Sequence, residues 1–254
     1  GGIALNCVAN SRIANASDWQ HVHTYAACHD AGNALGAALY ISAKKNILHP
    51  KFVGAALGPG YEEVEILNSL TEAGSSISYE KIDNIAHEAA TSLIRGDIIA
   101  WFQDRMEFGP RALGNRSIIV DPSRANAKDS LNNRIKFRED FRPFAPAVLE
   151  EHSNEIFNFK YKSPFMMFTS QTNNGWVDKI PAVVHVDGLA RIQTVSHKNG
   201  LFYNLLTEFN ELSGLPVVLN TSFNVKGEPI VNSPDDALRC FLSTDIDLLF
   251  IGPF

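Results

Sequence analysis

The sequence IDNIAHEAATSLIRGDIIAWFQ, residues 82–103, changes from a helical to a strand-like pattern at a single glycine. Ile85, Ala89 and Leu93 recur at the spacing that places side chains on one face of a helix. Gly96 follows at the expected helix end, and the apolar run IIAWFQ that comes next is typical of a buried strand. This transition predicts a domain in which helices pack on a β-sheet.

The same alternation continues through the rest of the chain. Strand candidates are SIIV, FMMFTS, ARIQTVS, PVVLN and DLLFI, and helix candidates lie near 124–135, 201–213 and 234–243, the last capped by Ser233 before Pro234. Nearer the amino terminus, IALNCVA is strand-like, DAGNALGAALYISAKK is predicted to be a helix packed on a sheet, and YEEVEILNSL a short amphipathic helix. The predicted fold class is α/β or α+β.

Turn-forming clusters divide the chain. LGPG at 57–60 predicts a turn and EAGSS at 72–76 a flexible link. We therefore expect one domain over residues 1–57, a linker over 58–80 and a second domain over 81–254. The first residues, GGIALNCVAN, lack an initiator Met, a basic region and a long apolar core, so they predict neither a signal peptide nor a natural start, and we expect a fragment of a longer protein.

The composition is that of an ordinary globular protein, with 45% hydrophobic and 20% charged residues and a formal net charge of −6. No apolar run approaches the ~20 residues needed to span a membrane. The 3 cysteines have no metal-ligand spacing, which predicts reduced thiols in a cytoplasmic protein. A pI near 5.7 argues against sequence-independent binding of nucleic acid, which needs a broad basic face, but does not exclude small anionic ligands.

Positive charge is nevertheless concentrated between residues 105 and 142, where nine Lys or Arg residues accompany five Asp or Glu residues. The stretch RIKFREDFRPFAP, residues 134–146, supplies four of these cations. Pro143 restricts Arg142 to extended conformations, which gives its side chain a defined direction. For part of this region a solvated helix face is the alternative interpretation.

The sequence RMEFGPRALGNRS favours phosphate binding. It places Arg105, Arg111 and Arg116 among glycines and a proline, where a helix is disfavoured and the backbone can approach a ligand closely. Guanidinium groups offer a rigid fork of donors to phosphate oxygens, and a lysine adds a compact point charge. A mixed Arg/Lys set can therefore fix both the orientation and the charge of such a ligand.

Two further stretches carry polar groups in strand-like surroundings. LNTSFNVKGEP follows the apolar PVV with Asn220, Ser222 and Asn224, for which an Asx or ST turn is the alternative interpretation. HVDGLARIQTV contains Arg191, whose charge needs solvent or a partner.

Five segments together resemble the carboxyl-terminal domain of NodU/CmcH-type carbamoyltransferases. They are WFQDRMEFGPRALGNRSIIVDP, LNNRIKFREDFRPFAPAVLEE, SPFMMF, VDGLARIQTV and LNTSFNVKGEPIV. The resemblance covers about residues 80–254, and GGIALNCVANSRI and HDAGNALGAALY are similar to the closing part of the family's amino-terminal domain. It implies the end of an actin-like domain followed by a YrdC-like domain with a twisted α/β sheet.

The resemblance also implies the chemistry. The YrdC-like domain would make carbamoyl-adenylate from carbamoyl phosphate and ATP, with Mg²⁺, and the actin-like domain would pass the carbamoyl group to a hydroxyl of a small-molecule acceptor. Arg111, Lys136 and Arg142 are implied to be the catalytic set that holds carbamoyl phosphate. Nucleotide contacts are implied at Arg191, Asn220 and Ser222, and further phosphate or nucleotide contacts at Arg105, Arg116, Arg138, Asn224, Gly1 and Gly2.

Metal binding is expected in two places. Asp187 and Glu228 are candidates to place Mg²⁺, against a pairing of Asp187 with Arg191 or a turn role. Asp30 matches the family's carboxylate ligand for a transition metal, taken as Fe²⁺, whose histidine pair lies upstream in the family and outside this chain. That metal is thus expected only in the full-length protein, and His21 and His23 are not substituted for the missing pair.

Two other functions stay open at this point. Threonylcarbamoyl-adenylate synthesis for tRNA modification uses the same YrdC-like architecture, although FGPRALGNRS and FRPFAP favour the carbamoyl branch. An RNA-binding module is the third interpretation, against which the acidic total charge and the scarcity of aromatic residues in the basic stretch count. The sequence leaves the acceptor and the oligomeric state undetermined.

Overall fold

The computed structural model describes residues 2–16, 18–47, 54–137 and 144–254, and these contain a seven-stranded mixed sheet in the order β4-β5-β3-β6-β2-β1-β7. The strands are β1 Ile99–Phe102, β2 Arg116–Val120, β3 Ala145–Leu149, β4 Phe168–Gln171, β5 Leu189–Val195, β6 Val217–Ser222 and β7 Leu248–Ile251. Pairing is parallel between β1 and β7 and between β3 and β5, and antiparallel for the other neighbours. The mixed α/β class is therefore confirmed.

The α-helices of the described residues lie before, between and after these strands. They are α1 Cys7–Asn15, α2 Gly32–Lys44, α3 Glu63–Ala73, α4 Ile85–Arg95, α5 Ala127–Leu131, α6 Ser153–Ile156, α7 Asn174–Val177, α8 Leu201–Ser213 and α9 Pro234–Leu242. A π-helix, Asn132–Lys136, continues α5 and ends at Phe137, whose φ of 44° is left-handed.

Each face of the sheet has its own hydrophobic core, because strand side chains alternate between the faces. Helices α4 and α8 cover one face, where Leu93 and Phe209 pack against Trp101 of β1. Helices α3, α5 and α9 cover the other face, where Leu131 packs in the same cluster as Phe102. The helix-to-strand transition that predicts the fold therefore runs from helix α4 on the first face into β1, which lies between β2 and β7 in the sheet.

Several predicted boundaries are confirmed by local interactions. Helix α4 ends at Gly96, whose φ of 98° is left-handed, and its amide donates to Leu93 and Ser92. Helix α9 begins at Pro234, and the hydroxyl of Ser233 accepts from the amide of Asp236. These boundaries were predictable because each depends on residues next to one another in the sequence.

Other predictions were wrong. IALNCVA is not a strand but a 3₁₀-helix, Gly2–Leu5, followed by α1, since the side chain of Asn6 accepts the amide of Ala9 at 3.0 Å and caps the helix. Helix α2 forms as predicted, but no residue of it is buried, so the packing on a sheet is absent in the described residues. Strand β3 was not predicted because its sequence, APAVL, contains Pro146.

The segment predicted to be a linker contributes to the core. Ile66 and Leu70 of α3 are buried in the cluster beneath α9, and residues 74–76 close the helix with a 3₁₀ turn rather than a free link. Helix α1 contacts β4, where the hydroxyl of Ser11 bonds both the amide and the carbonyl of Thr169 at 2.7 and 2.8 Å. The division into domains at 57 and 80 stays a prediction. Among the described residues no helix combines the length and hydropathy needed to span a bilayer.

Candidate functional site

Four polar side chains, which we call the polar cluster, lie on the sheet face that α4 and α8 cover, at the end beyond those helices. They are Ser117 of β2, Gln193 of β5, and Asn220 and Ser222 of β6. Register explains their grouping, because Ser117 pairs with Ser222, and the strand β3 between β5 and β6 presents Ala145 and Ala147 at this end of the face. Two alanines leave room for the longer polar groups on either side.

Asn220 and Gln193 form a hydrogen-bonded pair across this space. The Nδ2 of Asn220 donates to Oε1 of Gln193 at 2.8 Å, and Nε2 of Gln193 donates to the carbonyl of Leu113 at 2.7 Å. Asn220 is 1% exposed, and its Oδ1 has no hydrogen-bond partner among the described residues. A buried acceptor without a partner has lost its hydration, so a donor from a bound molecule at this atom would be favourable.

The polar cluster is attached to the loop over residues 105–116, which we call the arginine loop. Besides the bond from Gln193 to Leu113, Asn220 Nδ2 lies 3.4 Å from the carbonyl of Ala112, and the hydroxyl of Ser117 accepts from the amide of Gly114 at 3.1 Å. Gly114 has a φ of 113° and lies against Phe202, where a Cβ would approach the ring to 2.1 Å. The loop conformation therefore requires glycine at this position.

Within the arginine loop, Arg116 has a structural environment. Its side chain is 0% exposed, its guanidinium lies 3.6 Å from the ring centroid of Phe102, and it donates to the carbonyls of Gln103 at 2.6 Å and Asn115 at 3.0 Å. Burial lowers the pKa of Arg116 to about 10, against an opposing effect of Glu107. The phosphate-contact prediction for Arg116 is not supported by this placement, because the guanidinium is already enclosed by protein.

Arg105 is likewise engaged by the backbone. Its Nε donates to the carbonyl of Gly58 at 2.8 Å and its Nη2 to that of Leu57 at 2.9 Å. These bonds join the arginine loop to the segment before α3. Arg105 is exposed, so a ligand contact would have to compete with two backbone acceptors.

Arg111 is placed differently from its two neighbours. It is partly exposed, and its buried Nε has no hydrogen-bond partner among the described residues. The loop around it is held close to the segment near residue 26, since Gly109, with a φ of 151°, would bring a Cβ to 2.7 Å from the carbonyl oxygen of Ala26. Arg111 also lies near Cys28, whose thiol pKa is raised by burial and lowered in turn by this charge. Of the three arginines, Arg111 is the one best placed to receive an anion.

Lys136 approaches the polar cluster from the other side of β6. It is 5% exposed on the π-helix, and its Nζ donates to the carbonyl of Ser222, to the carbonyl of Asn224 at 2.8 Å and to Oδ1 of Asn224 at 2.9 Å. The hydroxyl of Ser222 donates to the same Oδ1 at 2.6 Å. The structure thus brings together Lys136, which the resemblance assigns to carbamoyl phosphate, with Ser222 and Asn224, which it assigns to the nucleotide, at the end of the strand that also carries Asn220.

The remaining predicted positions fall in three groups. Arg191 is partly exposed on β5, two positions before Gln193 and therefore on the same face. Gly2 is exposed in the first 3₁₀-helix, where a Cβ would meet nothing within 4 Å. Gly1, Arg138 and Arg142 lie outside the described residues.

The metal candidates have few neighbouring ligands. Asp30 is exposed, and no group of 3 or more His, Cys, Asp and Glu side chains suited to a metal ion occurs in the described part of the chain. Asp187 accepts from the amide of Leu189 at 3.0 Å and lies 2.9 Å from Nδ1 of His185. These contacts hold a turn, and the hydrogen bond from the Leu189 amide is the main cause that lowers the pKa of the Asp187 carboxyl. The Mg²⁺ role of Asp187 stays a prediction.

Sequence reasoning missed two residues of the site, Glu107 and Gln193. Glu107 is 6% exposed, and one of its oxygens accepts the amides of Leu113 at 2.6 Å and Asn115 at 2.8 Å. Burial raises the pKa of Glu107, while these two hydrogen bonds oppose the rise. The signals available for them were a glutamine in the middle of the apolar strand ARIQTV and a glutamate two residues before Gly109-Pro110.

Comparison with known proteins places the chain in a family. The family model described as "Carbamoyltransferase C-terminus" matches residues 90–254. Nodulation protein NolNO of Sinorhizobium fredii is 42% identical over 264 residues, which cover 100% of this chain and 38% of that protein. Nodulation protein NolO of Bradyrhizobium diazoefficiens is 41% identical, with 100% of this chain and 48% of that protein covered.

Nodulation protein U of Rhizobium tropici is 36% identical over 94% of this chain and 40% of its own length. Among solved structures, full-length HypF in the phosphate- and nucleotide-bound form is similar with a TM-score of 0.43 and 18% identity, over 64% of this chain and 20% of that one. The chain spans less than half the length of these curated relatives. By the family model and these relatives, the chain belongs to the carbamoyltransferase family of NolO and NodU proteins and corresponds to the region of the C-terminal model.

Proposed function

We propose that this chain binds carbamoyl phosphate and ATP and forms carbamoyl-adenylate. The observation that carries the proposal is that Lys136 and the arginine loop, which carries Arg111, are both bonded to the end of β6. Lys136 bonds the strand at Ser222, and the arginine loop is attached two residues earlier at Asn220, about 7 Å along the strand. A lysine at a strand end lined by amide and hydroxyl groups, beside a loop that carries an arginine, suits a phosphorylated ligand.

Two sets of residues would bind the two substrates. Arg111 and Lys136, with Arg142 from outside the described residues, neutralise the phosphate of carbamoyl phosphate. Arg191, Asn220 and Ser222 contact the nucleotide, for which the buried Oδ1 of Asn220 offers an acceptor. An arginine can orient two phosphate oxygens at once, whereas the lysine provides charge at one point.

The reaction needs two balanced steps. Water cleaves carbamoyl phosphate to carbamate and inorganic phosphate. A carbamate oxygen then attacks the α-phosphorus of ATP, the bond from that phosphorus to the bridging oxygen breaks, and pyrophosphate leaves with the electron pair. Positioning of the carbamate and stabilisation of the charge on pyrophosphate account for catalysis, so no protein nucleophile is required.

The described residues do not by themselves form a metal site. Mg²⁺ commonly reaches such reactions on the phosphates of the nucleotide and retains several waters, so a dedicated carboxylate cage is not needed. Asp187 belongs to a turn, and the carbonyl of Glu228 accepts from Nδ2 of Asn224 at 2.8 Å. For a transition metal, Asp30 alone lacks the imidazole ligands that favour such an ion. No step is assigned to either metal.

In the whole protein, we propose that the carbamoyl group passes from the adenylate to a hydroxyl of a small-molecule acceptor. The acidic net charge of −6 supports a small ligand over a polynucleotide as the partner. The cytoplasm, where ATP and carbamoyl phosphate are available, is the proposed location.

Product analysis tests the proposal. Incubation with ATP, Mg²⁺ and carbamoyl phosphate should release pyrophosphate and yield carbamoyl-adenylate by mass spectrometry, while bicarbonate and threonine in place of carbamoyl phosphate should yield no adenylate. Formation of threonylcarbamoyl-adenylate would support the tRNA-modification alternative instead. A salt-sensitive affinity for RNA with no pyrophosphate release would favour the binding-module alternative.

A further inference from the structure

Glu107 lies at the base of the arginine loop, and the phosphate chemistry proposed above makes no use of it. A single oxygen, Oε1, accepts the amides of both Leu113 and Asn115. These two bonds close the chain into a ring around the residues between them, which include Arg111. Glu107 thus fixes the two ends of the segment that carries the proposed anion ligand.

The arginine loop is held on its carbonyl side as well. Gln193 donates to the carbonyl of Leu113, and Asn220 lies within reach of the carbonyl of Ala112. Peptide groups bonded from both sides have little freedom to rotate. The backbone that directs Arg111 is consequently held by Glu107 through its amides and by the polar cluster through its carbonyls.

A buried carboxylate is a costly way to hold a loop, because desolvation disfavours its charged form. Its Oε2 is buried without a hydrogen-bond partner among the described residues, and the positive charge of the buried Arg116 partly compensates for the desolvation. An apolar side chain of similar volume would avoid this desolvation cost, but it would leave the amides of Leu113 and Asn115 without an acceptor. The arrangement makes sense if the two amides need one acceptor at a fixed point.

From these contacts we propose that Glu107 is a positioning residue, which orients Arg111 for the phosphate of carbamoyl phosphate. The inference rests on the proposed function, because it takes Arg111 as an anion ligand. Glu107 does not touch the substrate. Its effect passes through the backbone of the arginine loop, so it should disappear when the Arg111 side chain is absent.

A double-mutant cycle measures this coupling. In calorimetry on the 254-residue chain, Glu107→Met should weaken carbamoyl phosphate binding about tenfold, with little change in the affinity for a non-hydrolysable ATP analogue. Glu107→Gln retains an oxygen that can accept both amides and should bind close to the wild type. In the Arg111→Ala background, Glu107→Met should cause no further loss.

Two further variants distinguish a loss of positioning from a general loss of stability. Glu107→Asp keeps the charge but shortens the side chain by one methylene, so it should lose carbamoyl phosphate affinity even where Glu107→Met does not fold. Leu206→Ala, in the core under α8, serves as the control for general destabilisation. Hydrogen exchange at the amides of Leu113 and Asn115 should accelerate in Glu107→Asp and Glu107→Met and remain slow in Glu107→Gln and Leu206→Ala.

The outcomes separate the two proposals. If Arg111→Ala weakens binding while Glu107→Met and Glu107→Asp bind normally, or if the losses are additive, the positioning role is overturned and the proposed function stands. If carbamoyl phosphate binds equally to the wild type and Arg111→Ala, or to neither, the assignment of Arg111 fails and the positioning role fails with it. A loss of both ligands equal to that of Leu206→Ala would also overturn the inference.

Discussion

Lys136 and Asn224 are joined twice, since the lysine Nζ donates both to the carbonyl and to the side-chain Oδ1 of the asparagine, at 2.8 and 2.9 Å. Together with its bond to the carbonyl of Ser222, this fixes the ammonium group at the end of β6. The same Oδ1 also accepts from the Ser222 hydroxyl. A phosphate oxygen that binds here would replace this neutral acceptor with a charged one.

Lys136→Ala should weaken carbamoyl phosphate binding by about 1.5–3 kcal/mol, the range for a hydrogen bond to a charged group. The affinity for ATP should change less, because the nucleotide contacts are assigned to other residues. Calorimetry with each ligand measures both values. Lys198→Ala, at an exposed lysine, is the matched control, and a carbamoyl phosphate affinity unchanged in Lys136→Ala would reject this residue as a ligand.

Arg116→Met should destabilise the fold rather than change ligand affinity directly. The substitution removes a fully buried cation whose charge favours the ionised form of the buried Glu107. A buried charge that loses its compensating partner costs about 3–5 kcal/mol. Urea unfolding measures the change. Arg239→Met provides the control, because its ion pair with Asp236 is exposed and should contribute at most about 1 kcal/mol. Equal stability of the two variants would contradict the structural role.

The stability of the protein should fall at alkaline pH through Cys240. Burial raises the pKa of its thiol from 9.0 to about 11, so the folded state favours the neutral form more than the unfolded state does. That preference is present in full below pH 9 and is lost as the pH rises toward 11. It corresponds to about 2 kcal/mol between pH 8 and 10.5.

Urea unfolding of the wild type and Cys240→Ala at both pH values isolates this contribution. The cavity left by alanine lowers stability equally at each pH, whereas the thiol contributes only a pH-dependent difference. We expect the gap between the two proteins to shrink by about 2 kcal/mol at the higher pH. A gap that stays constant would show that the Cys240 thiol does not titrate with folding.

The sequence predicted those parts of the fold that depend on neighbouring residues. The end of α4 at Gly96 and the start of α9 at Pro234 follow from local caps, and both were correct. Strand β3 escaped prediction because Pro146 disfavours a central strand on local grounds, whereas here the strand pairs with β5 and β6 on its two sides. Its place is determined by contacts that lie far away in the sequence.

In the candidate site, too, the features that depend on contacts far away in the sequence were not predicted. The motifs named Lys136, Ser222 and Asn224 as candidates but did not predict that they contact one another. The enclosure of Arg116 by backbone carbonyls was not predicted either, because a buried and an exposed arginine look alike in sequence. Gln193 bonds Leu113 across 80 residues, a distance at which no local pattern carries information. The charged candidates were therefore predictable from motifs, whereas Glu107 and Gln193, which bond the backbone of the arginine loop, were not.

Metal analysis should find no stoichiometric transition metal in the dialysed chain. Asp30 is an exposed single carboxylate, and the described residues contain no group of 3 or more suitable side chains around it. One carboxylate with open water positions binds such ions weakly. Elemental analysis before and after dialysis measures the content, with Asp30→Asn as the control. Retention of one metal per chain that is lost in Asp30→Asn would show that the chain forms a site that these contacts do not reveal.

The last prediction concerns which half of the proposed reaction this chain can perform. The Arg, Lys, Asn and Ser residues assigned to adenylate formation lie between Arg105 and Asn224, and those that the structure describes belong to the sheet, to the segment directly after β6, to the arginine loop or to the π-helix bonded to β6. The resemblance implies that transfer to an acceptor also needs a transition metal held by Asp30 and a pair of histidines, which would bring acceptor and adenylate together. We expect slow pyrophosphate release and retention of carbamoyl-adenylate, with no carbamoylated product from any hydroxylated acceptor tested.

A pyrophosphate assay with mass spectrometry follows both products, and Lys136→Ala should reduce the release of pyrophosphate. No adenylate from this chain, where the whole protein makes it, would refute its autonomy, and a carbamoylated acceptor would refute the division of the two steps.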